Sequence, residues 1–398
     1  MRSYSLAVAA ALATFLASAC SSPAADNGFG PQGSGQGGAN GSGNGAGPGG
    51  GGFGGGGGNG GGGNNGDGGG GAIGQVDKTA ACDSGLSVDG DAASFAKALG
   101  VCTTADKDGF GLVSASYSKA FGSTAAPHAG QWGLLPRFGT KIQPREGGTL
   151  GVISSGYARE YDNINGSSGS IASAAFVAQR ELAGTKFPTG AAPPGFPKAA
   201  KGCAQDNVVN DMIDVKLTMK APMDATGFQF DFDFYSSEWP NYVCSNYNDA
   251  FVAYLTSKNL TDNVSFDAKN NPVAVNNDYF DRCTPKAPIA CLRSDSPGSP
   301  DEPLSMSSCD GGPDELAGTG FAFTGPTQCA TKNVTATLGG ATGWLTTQAP
   351  IQPGETFTLE FMIWDAGDGA LDSSVLLDNF KWIGGSTPPS TPSTTRVN

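Results

Sequence analysis

The sequence is nearly without histidine: His128, in a Pro/Gly/Ala-rich loop, is the only one in 398 residues. A Ser-His-Asp or Cys-His nucleophile would have to use that single imidazole, and no serine stands in a G-x-S-x-G elbow. Zinc held by several histidines is excluded on the same ground. Cysteine pairs in C-x-x-C spacing are missing too, which removes zinc ribbons and dithiol redox sites. Positive charge is scarce: 23 Lys and Arg stand against 36 Asp and Glu, for a formal net charge of −13 and a pI near 4.5. That balance argues against nucleic acid as a partner and against an electrostatic grip on anionic lipid.

What is present at the N-terminus is an export signature. Arg2 precedes an apolar run, Leu6 to Leu16, followed by Ala17-Ser18-Ala19-Cys20. These are the short hydrophobic core and small residues of a cleaved secretory signal, residues 1–19. The run is too short for a spanning helix. A cysteine directly after the small residues resembles a bacterial lipobox, with Ala17 where that motif usually carries Leu. Cys20 is therefore expected to be lipidated, which makes the membrane a partner through the N-terminal lipid; an ordinary signal peptide with an incidental cysteine is the alternative. Ser21, rather than aspartate, beside Cys20 favours the outer membrane under the usual sorting pattern, so the expected localisation is the outer membrane or cell surface. Export also suits the other cysteines: Cys82, Cys102, Cys203, Cys244, Cys283, Cys291, Cys309 and Cys329 form an even set that can pair in an oxidising compartment. Many connectivities are open. The short local loops, Cys82 with Cys102 and Cys283 with Cys291, are the expected ones.

Residues 20–75 are expected to be the lipidated cysteine and a disordered tether, because from Asn27 to Gly74 the composition collapses to Gly, Asn, Ser and Gln around isolated Phe29 and Phe53. A flexible chain of that length spans roughly 35 to 40 Å. Residues 384–398, rich in Ser, Thr and Pro, are expected to be a disordered tail. The folded head is then 76–383.

The head reads as mainly β, a β-sandwich or jelly-roll-like fold with one short N-terminal helix. Asp91 to Gly100 has an acidic start, helical apolar spacing and a glycine stop. Phe228, Phe230, Phe232 and Phe234 alternate with Gln229, Asp231, Asp233 and Tyr235, as a strand with one dry and one wet face would. Thr356 to Trp364 alternates in the same way, and Phe110 to Tyr117, Leu150 to Ser154, Ile213 to Met219, Ala250 to Leu255 and Ser374 to Ile383 are further strand candidates. Many short strands punctuated by Gly, Pro and Asn imply a sandwich or jelly roll. The stretch between Cys283 and Cys309 lacks periodicity and is expected to be a long, disulfide-stapled loop.

These pieces carry a resemblance. Ser237-Glu238-Trp239-Pro240, Tyr242, Tyr247-Asn248-Asp249-Ala250-Phe251, Val275-Asn276-Asn277, Gly340-Ala341-Thr342-Gly343-Trp344-Leu345, Asp365-Ala366-Gly367-Asp368-Gly369 and Asp372 to Asn379 follow in an order that resembles the choice-of-anchor L domain of bacterial surface proteins. Phe138-Gly139 and Ser154-Ser155-Gly156 extend the similarity over about Ala93 to Trp382. The resemblance implies a displayed extracellular module and supplies neither a mechanism nor a ligand.

The residues themselves suggest where a site would be. Glu238, Asn248 and Asp249 follow one strand; Asp365, Asp368 and Asp372 follow another, with Gly367 and Gly369 permitting tight turns. Oxygen donors in this number suit Ca²⁺, which takes six to eight of them; solvated turn residues are the plainer reading. The two sets meet if the strands are neighbours in one sheet running the same way. Trp239, Tyr242 and Tyr247 are ligand-binding candidates, able to stack on sugar rings or anchor a protein, or else they are lids on the core. No catalytic group is expected. The competing enzyme reading is a glycoside hydrolase using Glu238 with Asp365 or Asp368; a structural coat protein is the other alternative. The favoured expectation is a surface-tethered, calcium-stabilised module for adhesion or ligand binding, with a glycan or a surface protein as partner.

Overall fold

In the computed structural model, residues 81–159, 191–290, 303–326, 335–385 and 389–397 are described. The signal, Cys20, the tether, Cys291 and Cys329 lie outside the described residues. The chain begins with two short helices, α1 (Ala92–Ala98) and α2 (Ala105–Asp108). Asp91 caps α1 by accepting from Ser94 N at 2.8 Å, and a Cys82–Cys102 disulfide closes the loop around it, as expected. The strands follow in order: β1 (Gly111–Ser118), β2 (Trp132–Leu135), β3 (Leu150–Ser154), β4 (Val209–Lys220), β5 (Ala225–Ser236), β6 (Ala250–Thr256), β7 (Thr261–Asn263), β8 (Val273–Ala274), β9 (Pro288–Ile289), β10 (Ser305–Met306), β11 (Phe323–Pro326), β12 (Thr335–Leu338), β13 (Gly340–Ala341), β14 (Leu345–Pro350), β15 (Thr356–Ala366), β16 (Ser373–Gly384) and β17 (Ser393–Arg396).

Two antiparallel sheets form the sandwich. One runs β1-β4-β15-β6-β7 with β8 on β6; the other runs β17-β14-β5-β16-β3-β2 with β13 on β5. The alternating columns read from the sequence make the core between them. Phe228, Phe230, Phe232 and Phe234 of β5 face Phe357, Leu359, Phe361 and Ile363 of β15, with Ile213 to Met219 of β4 and Phe251 to Leu255 of β6 alongside. All the described residues fall within one unit, Gly66–Asn398, and the helix-bearing first part shares its sheet with the later strands.

Four expectations are corrected. The strands β5 and β15 are not neighbours in one sheet; they face each other, with Phe228 against Phe357 at 5.4 Å and Phe230 against Phe361 at 5.0 Å, so they run the same way across the core. The second face of β5 is not wet. Leu135, Phe138, Leu316 and Phe321 cover it together with Tyr235, and its acids are buried because they are satisfied: Asp231 accepts from Arg145, Thr346 and Asn379, and Asp233 from Tyr235 and Thr342. Cys283 pairs with Cys309, not Cys291, since the β9–β10 ladder brings the returning chain back beside Cys283. A further disulfide joins Cys203 to Cys244.

The fourth correction concerns the tail. Residues 393–396 are β17, added to the edge of β14. An edge strand needs only backbone partners, so a polar Ser/Thr sequence suffices. It is pinned by side chains: Thr394 Oγ1 lies 2.9 Å from Thr347 Oγ1, and Arg396 donates to Thr342 O at 2.7 Å, sits 3.5 Å from the Asp281 carboxylate and lies over the Tyr279 ring. Arg396→Ala is expected to cost about 1 to 2 kcal/mol, discounted for partial exposure. Urea midpoints of the two proteins measure it; equal midpoints would show that β17 is carried passively.

Candidate functional site

The inward column of apolar side chains ends in oxygen at one end of the sandwich. Asp365 has the parity of Phe357, Leu359, Phe361 and Ile363; Asp249 that of Phe251, Ala253 and Leu255; Ser373 that of Val375 and Leu377; and Glu238 stands two residues beyond Ser236 on the parity of the β5 phenylalanines. Because β5 and β15 run the same way across the core, their outgoing ends coincide and these groups meet. Asp249 Oδ1 accepts from Ala366 N at 3.1 Å, Asp249 Oδ2 from the Ser373 hydroxyl at 2.6 Å, and Glu238 Oε2 from Asp249 N at 3.5 Å. Asp372 reaches the same place past Gly156, where an added Cβ would lie 2.0 Å from Asp372 Oδ2. Only glycine allows that approach.

The environment opposes charge. Glu238, Asp249 and Asp365 are all buried. Burial, followed by the neighbouring Asp249 carboxylate, holds the Glu238 and Asp365 carboxyls well above the usual range, and burial pushes Asp249 up to about 7. Neither oxygen of Asp365 completes a hydrogen bond of normal geometry, although Ser155 and Asp249 stand near enough to act on it. Asp368 is half-buried at the rim; its carboxylate accepts from Ala370 N and its carbonyl from Asn210.

Sequence reasoning missed Asp211, which acts on Asp365 from β4. It lies at a bulge, where the β4–β15 register shifts between Ile363 and Asp365, and its φ is +48°. An aspartate at the end of a strand carries no local sign of a bulge, which is set by the partner strand.

Two nominated residues do other work. Asn248 is a loop staple: its amide donates to Gln205 at 2.8 Å and its oxygen accepts from Asn276 N at 3.0 Å. Trp239 is buried, its ring stacked on Phe280 at 4.4 Å, and so belongs to the core. Tyr242 and Tyr247 are half-exposed and meet edge-to-face at 5.5 Å. With Glu238, Asp368, Ala370 and Leu371 they line a cleft of about 290 Å³. His128 is exposed on its loop, accepting from Gly130 N at 3.0 Å. Comparison with protein-family models, with characterised proteins and with solved structures returned no match for this chain.

Proposed function

We propose that the head is a displayed extracellular binding module of the choice-of-anchor L type, held at the cell surface by the lipid on Cys20 and taking its ligand at the Tyr242/Tyr247 cleft. The observation that carries this reading is the convergence, at one end of a rigid sandwich, of the loops after β5 and β15 around a cleft with two half-exposed tyrosines. Loops on the ends of sandwiches are free to vary while the sheets hold them in place, which is why recognition concentrates there. Tyrosine offers a flat face and a hydroxyl at low entropic cost, and acidic groups beside it accept hydrogen bonds from sugar hydroxyls. Carbohydrate is the ligand class that this chemistry suits first.

A glycan array probed with the purified protein tests the reading. Binding to one glycan class is expected, with affinity reduced about tenfold or more in Tyr242→Ala and Tyr247→Ala. A silent array sinks carbohydrate recognition and leaves a surface protein as ligand, or a structural coat. Glu238 and Asp368 line the same cleft, which favours the hydrolase as second reading: release of reducing ends from a polysaccharide, abolished in Glu238→Gln, is the result that would establish it.

A further inference from the structure

Several carboxylates elsewhere in the fold are paired with a cation. Asp231 is 3.1 Å from the Arg145 guanidinium, Glu360 3.2 Å from Lys216 Nζ, and Asp281 and Glu315 share Arg282 at 2.6 and 2.7 Å. The end of the sandwich beside the tyrosine cleft is different. Glu238, Asp249 and Asp365 are each no more than 2% exposed. Among the described residues, the largest charge effects on them come from one another and from Asp211, Asp368 and Asp372, with no Lys or Arg among those leading effects. Asp365 lies among these acids with both oxygens unpaired by any hydrogen bond of normal geometry. A buried carboxylate in this position stays ionised only beside a counter-charge, which the leading effects on it do not include.

We propose that this counter-charge is a calcium ion, bound by the carboxylates of Glu238, Asp249 and Asp365 with Asp372 beside them. The donors are all oxygen, which selects a hard cation; they come from four separate segments, which suits the adaptable shell of Ca²⁺ better than the strict octahedron of Mg²⁺. Among the described residues no three or more acidic, histidine or cysteine side chains stand arranged to hold a metal ion, so binding would need these carboxylates to move together. Backbone carbonyls and water would complete a calcium shell around these carboxylates. The ion would tie the sheets together. Glu238 follows β5 and Asp372 precedes β16 in one sheet, while Asp249 precedes β6 and Asp365 lies near the end of β15 in the other. The site stands whether or not the cleft above it takes a glycan.

The test uses the full chain, stripped with chelator and titrated with CaCl₂ by calorimetry, alongside thermal melts. One ion per chain is expected, and a midpoint about 5 °C or more higher at saturating Ca²⁺ than in EDTA. Tb³⁺ should bind with luminescence sensitised by Tyr242 and Tyr247 and be displaced by Ca²⁺. In EDTA, Asp365→Asn is expected to melt no lower than the parent, since the amide keeps the shape of a carboxyl that lies among other acids without a donor of normal geometry, yet in Ca²⁺ it should melt below it. A residue needed only for packing would lower both melts. Should Asp365→Asn fail to fold, Glu238→Gln read by calorimetry replaces it. Absence of binding heat and of Tb³⁺ emission in the parent, or parental Ca²⁺ affinity in both variants, overturns the site.

Discussion

Phe230→Ala is expected to lower stability by about 3 to 5 kcal/mol, a large share of the 5 to 15 kcal/mol typical of a folded protein. Phe230 is fully buried midway along β5, 5.0 Å from the ring of Phe361 in the facing sheet and 6.4 and 6.0 Å from those of its own neighbours Phe228 and Phe232. Its removal forfeits transfer energy and leaves a cavity between two sheets that are each held by a hydrogen-bonded ladder, so neither can collapse far into the gap. The expected fall in melting temperature is on the order of 10 °C. Phe230→Leu, which keeps most of the volume, should cost less than about half as much, and Val113→Ala, on an exposed stretch of β1, should change little. Chemical denaturation of the three variants decides the matter. A cost under about 1 kcal/mol for Phe230→Ala would contradict the facing arrangement of β5 and β15.

The protein is also expected to be more stable at pH 5 than at pH 8. Three acids away from the oxygen-rich end have folded-state pKa values raised by burial: Asp214 up to about 8, Asp233 up to about 7 and Asp378 up to about 7. Asp214 faces Glu360, Lys216 and the Ser118 hydroxyl; Asp233 faces Tyr235, Thr342, Glu315 and Arg282; Asp378 accepts from the Arg145, Glu146 and Asn379 amides near Asp231. An acid whose folded pKa exceeds its unfolded value binds its proton more tightly when folded. Its contribution is intact below the unfolded value near 3.8 and is lost as pH climbs through the folded value near 7 or 8. The loss is up to about 1.4 kcal/mol per pH unit for each group, and a fraction of that, summed over three, still amounts to several kcal/mol. Asp91 and Asp106 shift the opposite way, towards values below the usual carboxylate range, so they titrate under pH 4 and leave this window untouched. Melts at pH 5 to 8 in chelator should show midpoints falling with pH by about 10 °C in all. Asp214→Asn should flatten the slope, and a midpoint that rises with pH would refute the assignment.

Much of this protein was readable one segment at a time. The phenylalanine column of β5, the alternation of β15, the capped turn of α1 and the Cys82–Cys102 staple are local facts: a period of two reports which side of a strand is dry, and a short loop needs no distant partner to close. Even the candidate site left a local trace, because Asp249 and Asp365 carry acid on the parity of the core. The tertiary structure decided what lies opposite what. Period two does not say whether β5 and β15 lie side by side or face to face, and only the facing arrangement, with both chains running the same way, brings Glu238 to Asp249 and Asp365. Backbone hydrogen bonding is blind to side-chain identity, so the edge that captures Ser393–Arg396 and the ladder that leads Cys309 to Cys283 are invisible in composition. Burial, likewise, is a property of the whole: Asp233 sits on the strand face that alternation marks as wet, and it is dry because loops distant in sequence close over it.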